Sequence, residues 1–192
     1  MLKLWSNDVA GKHILLTLTP PAEMLQVIGE ITIYWSRVTM MVDEGISRLL
    51  DIDGEKSYAL SGAFLFNGKL EMFRTLGKVH FKSEPAKLRL FDKLLKDILD
   101  CYQERNDIEH SLWLSIADAG TFRAKSRKKK DGGKLERIML DDIKKTSSNI
   151  ARLVLSMTDF YNAYIPSSPS QRKYQKHLFG LRPIRVATQK IA

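Results

Sequence analysis

The amino-acid sequence predicts a mainly α-helical protein, a bundle of about four to five helices with a small β-hairpin excursion near residues 115–138. Three observations lead there. Apolar residues recur every three or four positions over three long stretches, the spacing of one face of a helix. Those stretches are bounded by start and stop residues: Thr or Ser before Pro, paired Asp, then Gly or Pro. Between Trp113 and Met139 the helical period fails, and two short runs flank Asp131-Gly132-Gly133.

The elements follow in order. Residues 1–19 form an N-terminal arm with no strong pattern. Thr19-Pro20-Pro21 opens the first helix: Thr can cap it, and Pro20 fits a first turn where its missing N–H is not needed. Met24, Ile28, Ile31, Trp35, Val38, Met41, Val42, Ile46 and Leu49 then form one long stripe that ends near Asp51-Ile52-Asp53-Gly54. The stripe is close to a heptad seam, suited to a partner helix within the fold or across a dimer. Residues 54–62 are small and polar, as in a loop. Leu70, Met72, Phe73 and Leu76 mark a shorter helix over 67–76, stopped by Gly77. Ser83-Glu84-Pro85 opens a third helix, with Leu88, Phe91, Leu94, Leu95, Ile98, Leu99 and Tyr102 as its core face.

That helix runs into Glu104-Arg105-Asn106-Asp107-Ile108-Glu109-His110, and Leu112-Trp113-Leu114 follow. The runs 121–125 and 135–138 form the hairpin. Asp141 and Asp142 suit the N-terminus of a last helix carrying Ile143, Ile150, Leu153, Val154, Met157, Phe160, Tyr161 and Tyr164. Pro166-Ser167-Ser168-Pro169-Ser170 ends it and opens a basic tail over 166–192, expected to be poorly ordered. The organisation is thus an arm (1–19), a helical domain (20–165) with the hairpin inserted, and the tail.

Charge is unevenly placed. The net charge is +9, from 31 Lys+Arg against 22 Asp+Glu. Arg123, Lys125, Arg127, Lys128, Lys129, Lys130, Lys134 and Arg137 crowd the hairpin against two acids, and the tail is basic throughout. Concentrated positive charge suits a polyanion such as nucleic acid, with Arg127, Lys128, Lys129 and Lys130 as candidate phosphate contacts, and equally suits a solvated loop and tail. The single cysteine, Cys101, excludes an internal disulfide framework and a multi-cysteine metal site. No stretch approaches the roughly 18 apolar residues of a membrane span, and residues 1–19 carry no secretory pattern, so a cytoplasmic protein is expected.

The sharpest constellation is Arg105-Asn106-Asp107-Ile108-Glu109-His110. Spacing alone is not specific, because Arg172-Lys173-Tyr174-Gln175-Lys176-His177 repeats it in the Pro/Ser-bordered tail. Context separates the two: the first copy has Asn after Arg and lies near the end of a long amphipathic helix with another helix to follow. In that context the chain resembles the HEPN superfamily, over roughly residues 20–164. Its motif is an Arg, usually followed by a polar residue such as Asn, with a His a few residues on. The resemblance implies a metal-independent endoribonuclease that needs no cofactor, a homodimer whose facing motifs form one composite cleft, and a role as toxin or defence effector with an antitoxin or regulatory partner. One branch of HEPN toxins carries a Tyr two residues after the motif His, the target of a partner nucleotidyltransferase. That position is Leu112 here, so no such antitoxin is expected.

The residues suit the chemistry. RNA supplies its own nucleophile, so cleavage needs proton transfer and a cation for the charge that builds on phosphorus. His110 can exchange a proton near neutral pH. Arg105 offers a planar fork for two phosphate oxygens, and Asn106 can orient either partner. At five apart, Arg105 and His110 are not ideal helix neighbours, which puts one or both at a distorted helix end. The plainer alternative pairs Arg105 with Glu104, Asp107 or Glu109 and leaves His110 as an ordinary residue at the helix end. A non-catalytic HEPN-like module, binding RNA or a nucleotide or serving dimerisation, and a DNA-binding regulator using the basic hairpin complete the alternatives. Trp5, Trp35 and Trp113 are candidates for base stacking, with Trp35 more suited to the core. Glu30 and Asp43 are candidates to approach the motif from the first helix. His13 and His80 have no partners at ligand spacing.

Overall fold

The structure, a computed structural model, describes residues 3–7, 13–116, 119–124, 135–169 and 171. Its described elements are β1 (Lys3–Asn7), β2 (His13–Thr17), α1 (Ala22–Leu50), α2 (Gly54–Gly62), α3 (Phe66–His80), α4 (Pro85–Glu109), β3 (Leu112–Ile116), β4 (Gly120–Ala124), β5 (Leu135–Arg137) and α5 (Leu140–Tyr164). The protein is mainly helical, as expected. The described residues fall into two compact units, one within Met1–Val38 and Asp92–Ser156, the other within Thr39–Phe91 and Met157–Ala192. Each has its own core.

The first unit holds the β structure. β4 and β5 pair antiparallel, Phe122 opposite Arg137 and Ala124 opposite Leu135, which is the hairpin the sequence predicts. The sheet is larger than that hairpin, with strand order β1-β2-β3-β4-β5 and every neighbour antiparallel. The strands β1 and β2 come from the N-terminal arm, and β2 joins β3 through Leu16–Ile116 and Thr17–Ser115. The Ser115 hydroxyl adds a bond to the Thr19 carbonyl (3.0 Å). Met24, Val27, Ile31, Trp35 and Val38 of α1, Leu94, Leu95, Ile98, Cys101 and Ile108 of α4, and Ile143, Ile150 and Leu153 of α5 are buried. Most lie on the faces that the helical period marks out; Val27, Cys101 and Ile108 join them, while Ile28, Leu88, Leu99 and Tyr102 are only half-buried. Asp142 accepts a hydrogen bond from the Met139 N–H (3.0 Å), so the acidic start of α5 acts as a cap.

Thr19 does not cap α1. Its hydroxyl is buried without a hydrogen-bond partner among the described residues, and the helix begins with the Pro21 carbonyl accepting the Leu25 N–H (3.0 Å). Both prolines precede α1, so Pro21, which has no capping side chain, stands at the cap position and Thr19 lies two residues too far back.

The second unit is built on aromatic packing. Phe73, Phe81, Phe91 and Phe160 are buried; Phe73 meets Phe91 edge-on with centroids 5.0 Å apart, and Phe91 lies 6.0 Å from Phe160. Such offset arrangements are the favoured ones for aromatic quadrupoles. The Tyr161 hydroxyl donates to the Met41 carbonyl (2.7 Å). α1 closes with Asp51 at φ 51°, its N–H on Arg48 and the next N–H on the Ser47 carbonyl, a Schellman ending that uses Asp where Gly is commoner. Gln171, the only described residue beyond 169, is buried and donates to the carbonyls of Ser47 (2.8 Å) and Ile52 (3.2 Å).

Two expectations fail here. Residues 54–62 form the helix α2 rather than a loop, because Asp53 caps it: its carboxylate accepts the Lys56 N–H (3.0 Å) and its carbonyl the Ser57 N–H (3.0 Å). The Lys56 backbone N–H, and then its ammonium, hold the Asp53 carboxyl below the usual carboxylate range. Gly77 does not stop α3. It is buried inside the helix because Phe91 lies against it; a Cβ there would come within 2.1 Å of the Phe91 ring.

Candidate functional site

The motif sits where α4 ends and the chain turns into β3, within the first unit. Five residues from Arg105 to Glu109 continue the helix, and buried Ile108 anchors its inner face. No glycine terminates α4. The last carbonyls are instead taken up by neighbours: the His110 N–H donates to Asn106 (3.1 Å), the Ser111 hydroxyl to Asp107, and the Trp113 indole N–H to Ile108 (3.3 Å). These bonds satisfy acceptors that a helix end otherwise leaves open. They also assign Trp113 a structural task.

Arg105 and Asn106 are in direct contact, the guanidinium Nη1 donating to Asn106 Oδ1 (2.8 Å). Nη2 of the same fork makes an ion pair with Glu109, one turn on, with Arg105 and Glu109 only 21 % and 15 % exposed. Of the three acids that sequence offers as partners, the described ion pair is with Glu109. The second Glu109 oxygen accepts the Thr32 hydroxyl of α1 (3.0 Å). Arg105 Nε is buried without a hydrogen-bond partner among the described residues. Thr32, Glu109, Arg105 and Asn106 thus form a continuous polar chain from α1 to the last turn of α4.

His110 lies just beyond the helix and is exposed. Its backbone is tied to Asn106, while among the described residues no hydrogen bond joins its imidazole to Arg105 or Asn106. Two of the three motif residues are therefore brought together by side chains and the third by backbone alone.

The helix-one acids are bonded to other partners. Glu30 accepts from Ser147 of α5 (3.4 Å), and Asp43 pairs with Lys69 of α3 (2.9 Å) in the second unit. Thr32 takes the place expected of them, and no sequence pattern singles it out. Trp35 is buried and stacks on Tyr102 with centroids 5.6 Å apart, as a core residue. His80 packs edge-on against Phe81. The candidate phosphate contacts Arg127, Lys128, Lys129 and Lys130 lie outside the described residues, as do the tail beyond 171 with His177, and the side chains of Trp5 and His13.

An open cavity of about 470 Å³ lies between α1 and α5 in the first unit, with Glu23 and Glu30 on one wall and Lys144 and Ser147 on the other. It does not include the motif. Among the described residues no group of three or more His, Cys, Asp or Glu is placed to hold a metal ion, and no helix is long and apolar enough to cross a membrane. Cys101 is buried in α4, and burial, reinforced by Glu104, pushes its thiol up to about 12, so it is not poised as a nucleophile. No family model, curated protein or solved structure matches the chain.

Proposed function

We propose that the protein is a HEPN-like, metal-independent endoribonuclease, with Arg105, Asn106 and His110 as its working residues. The observation that carries this reading is the meeting of Arg105 and Asn106 in the last turn of α4 with an exposed His110 immediately after it. In this reading a base removes the proton of an RNA 2′-hydroxyl, the oxygen attacks the adjacent phosphorus, and the bond to the 5′-oxygen breaks as that oxygen takes a proton. The products are a 2′,3′-cyclic phosphate and a 5′-hydroxyl. His110 serves in proton transfer, and Arg105 stabilises the extra charge on the five-coordinate phosphate. A homodimer, which the HEPN resemblance implies, would bring one His110 from each protomer to serve as base and acid. Arg127, Lys128, Lys129 and Lys130 would track the RNA backbone, with a binding strength that falls steeply as salt rises. A toxin or defence role in the cytoplasm, with an antitoxin or regulatory partner, belongs to the same reading.

A second reading is favoured by a specific observation: Arg105 is already paired with Glu109, which weakens its attraction for phosphate. A non-catalytic HEPN-like module that binds RNA or a nucleotide, or serves dimerisation, would tolerate that pair. The deciding experiment is cleavage of a mixed structured RNA in EDTA by wild type, His110→Ala and His177→Ala. The ribonuclease reading expects cleavage to fall by at least about a hundredfold in His110→Ala alone, with RNA binding retained. Binding without cleavage by any of the three would select the non-catalytic module.

A further inference from the structure

The Arg105 fork is complementary to a pair of oxygens on one tetrahedral or planar anion, and a carboxylate and a phosphate present the same pair. In the folded chain that place is held by Glu109, whose far oxygen is gripped by Thr32 across the interval from α1 to α4. We infer that Glu109 is a built-in competitor for the RNA phosphate that Arg105 would bind, held in place by Thr32 and displaced when RNA arrives. The inference rests on the reading that Arg105 faces RNA.

Three features support displacement over a fixed structural pair. First, the Thr32 hydroxyl lies within reach of two acceptors, Glu109 Oε1 at 3.0 Å and its own-helix Ile28 carbonyl at 3.1 Å. It has one proton to give. When Glu109 leaves, that proton turns to the Ile28 carbonyl, so releasing the acid strands no donor. Second, Arg105 remains held by Asn106 through Nη1 after Glu109 departs, so the guanidinium keeps its aim. Third, Arg105 Nε is buried with no hydrogen-bond partner among the described residues, so the pairing with Glu109 leaves part of the fork unused. A backbone phosphate brings two charged oxygens, both uncommitted, where one of the two oxygens of Glu109 is committed to Thr32. Glu109 is on a helix end, where a change of rotamer moves the carboxylate without moving the backbone.

The test separates binding from chemistry by using a short 2′-O-methylated RNA, which lacks the free hydroxyl that cleavage needs. Affinity is measured by fluorescence anisotropy at low salt for wild type, Glu109→Gln, Thr32→Val, Arg105→Ala, Glu109→Gln with Arg105→Ala, and Glu84→Gln as a control for net charge. Glu109→Gln keeps the shape and loses the charge; it is expected to bind about fivefold tighter or more, the worth of a well-formed partly shielded ion pair. Thr32→Val, exposed on α1, loosens the grip on Glu109 and is expected to move affinity the same way by a smaller factor; it carries the test should Glu109→Gln not fold. The double variant should show no gain over Arg105→Ala. A gain equal to that of Glu84→Gln, or one that persists without Arg105, overturns the inference. Cleavage of unmodified RNA by the same proteins and by His110→Ala tests the other reading separately: the affinity pattern without cleavage by any variant keeps the competitor and removes the ribonuclease, and His110-dependent cleavage without the pattern does the reverse.

Discussion

Gly29 and Gly77 both lie inside helices, and the same substitution at each is expected to act in opposite directions. Alanine gains about 0.8–1.0 kcal/mol over glycine in a helix interior. At Gly29, exposed on α1, nothing among the described residues lies within 4 Å of an added Cβ, so Gly29→Ala should realise that gain. At Gly77 the added carbon would stand 2.1 Å from Phe91 Cζ and 2.2 Å from Cε1. Carbon atoms in contact sit about 3.5–4.0 Å apart, so the ring must retreat by about 1.5 Å. It has nowhere to go: Phe91 is wholly buried, with Phe73, Phe81 and Phe160 at centroid distances of 5.0, 5.7 and 6.0 Å. Overpacking of this kind costs about 1–3 kcal/mol, and the enclosed ring argues for the upper end. Gly77→Ala should therefore destabilise by about 2 kcal/mol after the helix gain is subtracted, and the two variants should differ by about 3 kcal/mol. In calorimetry that is a Tm rise of about 2–4 °C for Gly29→Ala and a fall of about 4–8 °C for Gly77→Ala. Adding Phe91→Leu to Gly77→Ala should recover about 1 kcal/mol or more relative to the sum of the single changes. Equal effects at the two glycines, or strict additivity with Phe91→Leu, would refute the close-packing account of Gly77.

Two buried groups give further outcomes. Tyr161→Phe loses the bond to the Met41 carbonyl and should cost about 1 kcal/mol in urea unfolding at neutral pH. Burial, then the nearby Glu44 carboxylate, raise the Tyr161 phenol well above its ordinary value; a raised folded value means stability intact below about pH 10 and lost as pH climbs past it, so the wild type should weaken more steeply there than Tyr161→Phe. The Cys101 thiol, pushed up to about 12, should resist alkylation by iodoacetamide at pH 8 in the folded protein and react promptly in denaturant; rapid labelling of the native state would contradict its burial.

The long helices were legible because each repeats one signal many times: α1 and α5 bury most of the residues that the three-to-four spacing selects, with Ile28, Leu49, Val154 and Tyr164 half-buried. α2 was not, since its nine residues include glycine at both ends and carry no apolar stripe, and its one usable sign is Asp53 ahead of Glu55. Gly77 illustrates a different difficulty. A glycine that ends a helix and one that admits a neighbouring ring look alike until the neighbour is known, and Phe91 lies on another helix. The strands β1 and β2 are each five residues long, and the partner that gives β2 its place, β3, is remote in sequence. At the motif, Arg105 and Asn106 are adjacent in the chain, and their contact was within reach of sequence reasoning. The i,i+4 spacing of Arg105 and Glu109 made their pairing one of several open choices. Thr32 was out of reach, because its role depends on how the faces of α1 and α4 meet, which no local pattern encodes.

The bond between Ser115 and the Thr19 carbonyl joins residues 96 apart in the chain, and the β2–β3 ladder beside it spans a similar interval. During synthesis at about 5–20 residues per second, the β1–β2 hairpin therefore exists for on the order of ten seconds before β3 emerges. Throughout that time the β2 edge offers unpaired N–H and C=O groups to any strand that passes, including the same hairpin on a neighbouring nascent chain. Messages that stall or terminate before the β3 codons would release polypeptides with that edge permanently open. Turnover of such fragments would then depend on cellular quality control, and swapping of the first two strands between chains would be the characteristic assembly error.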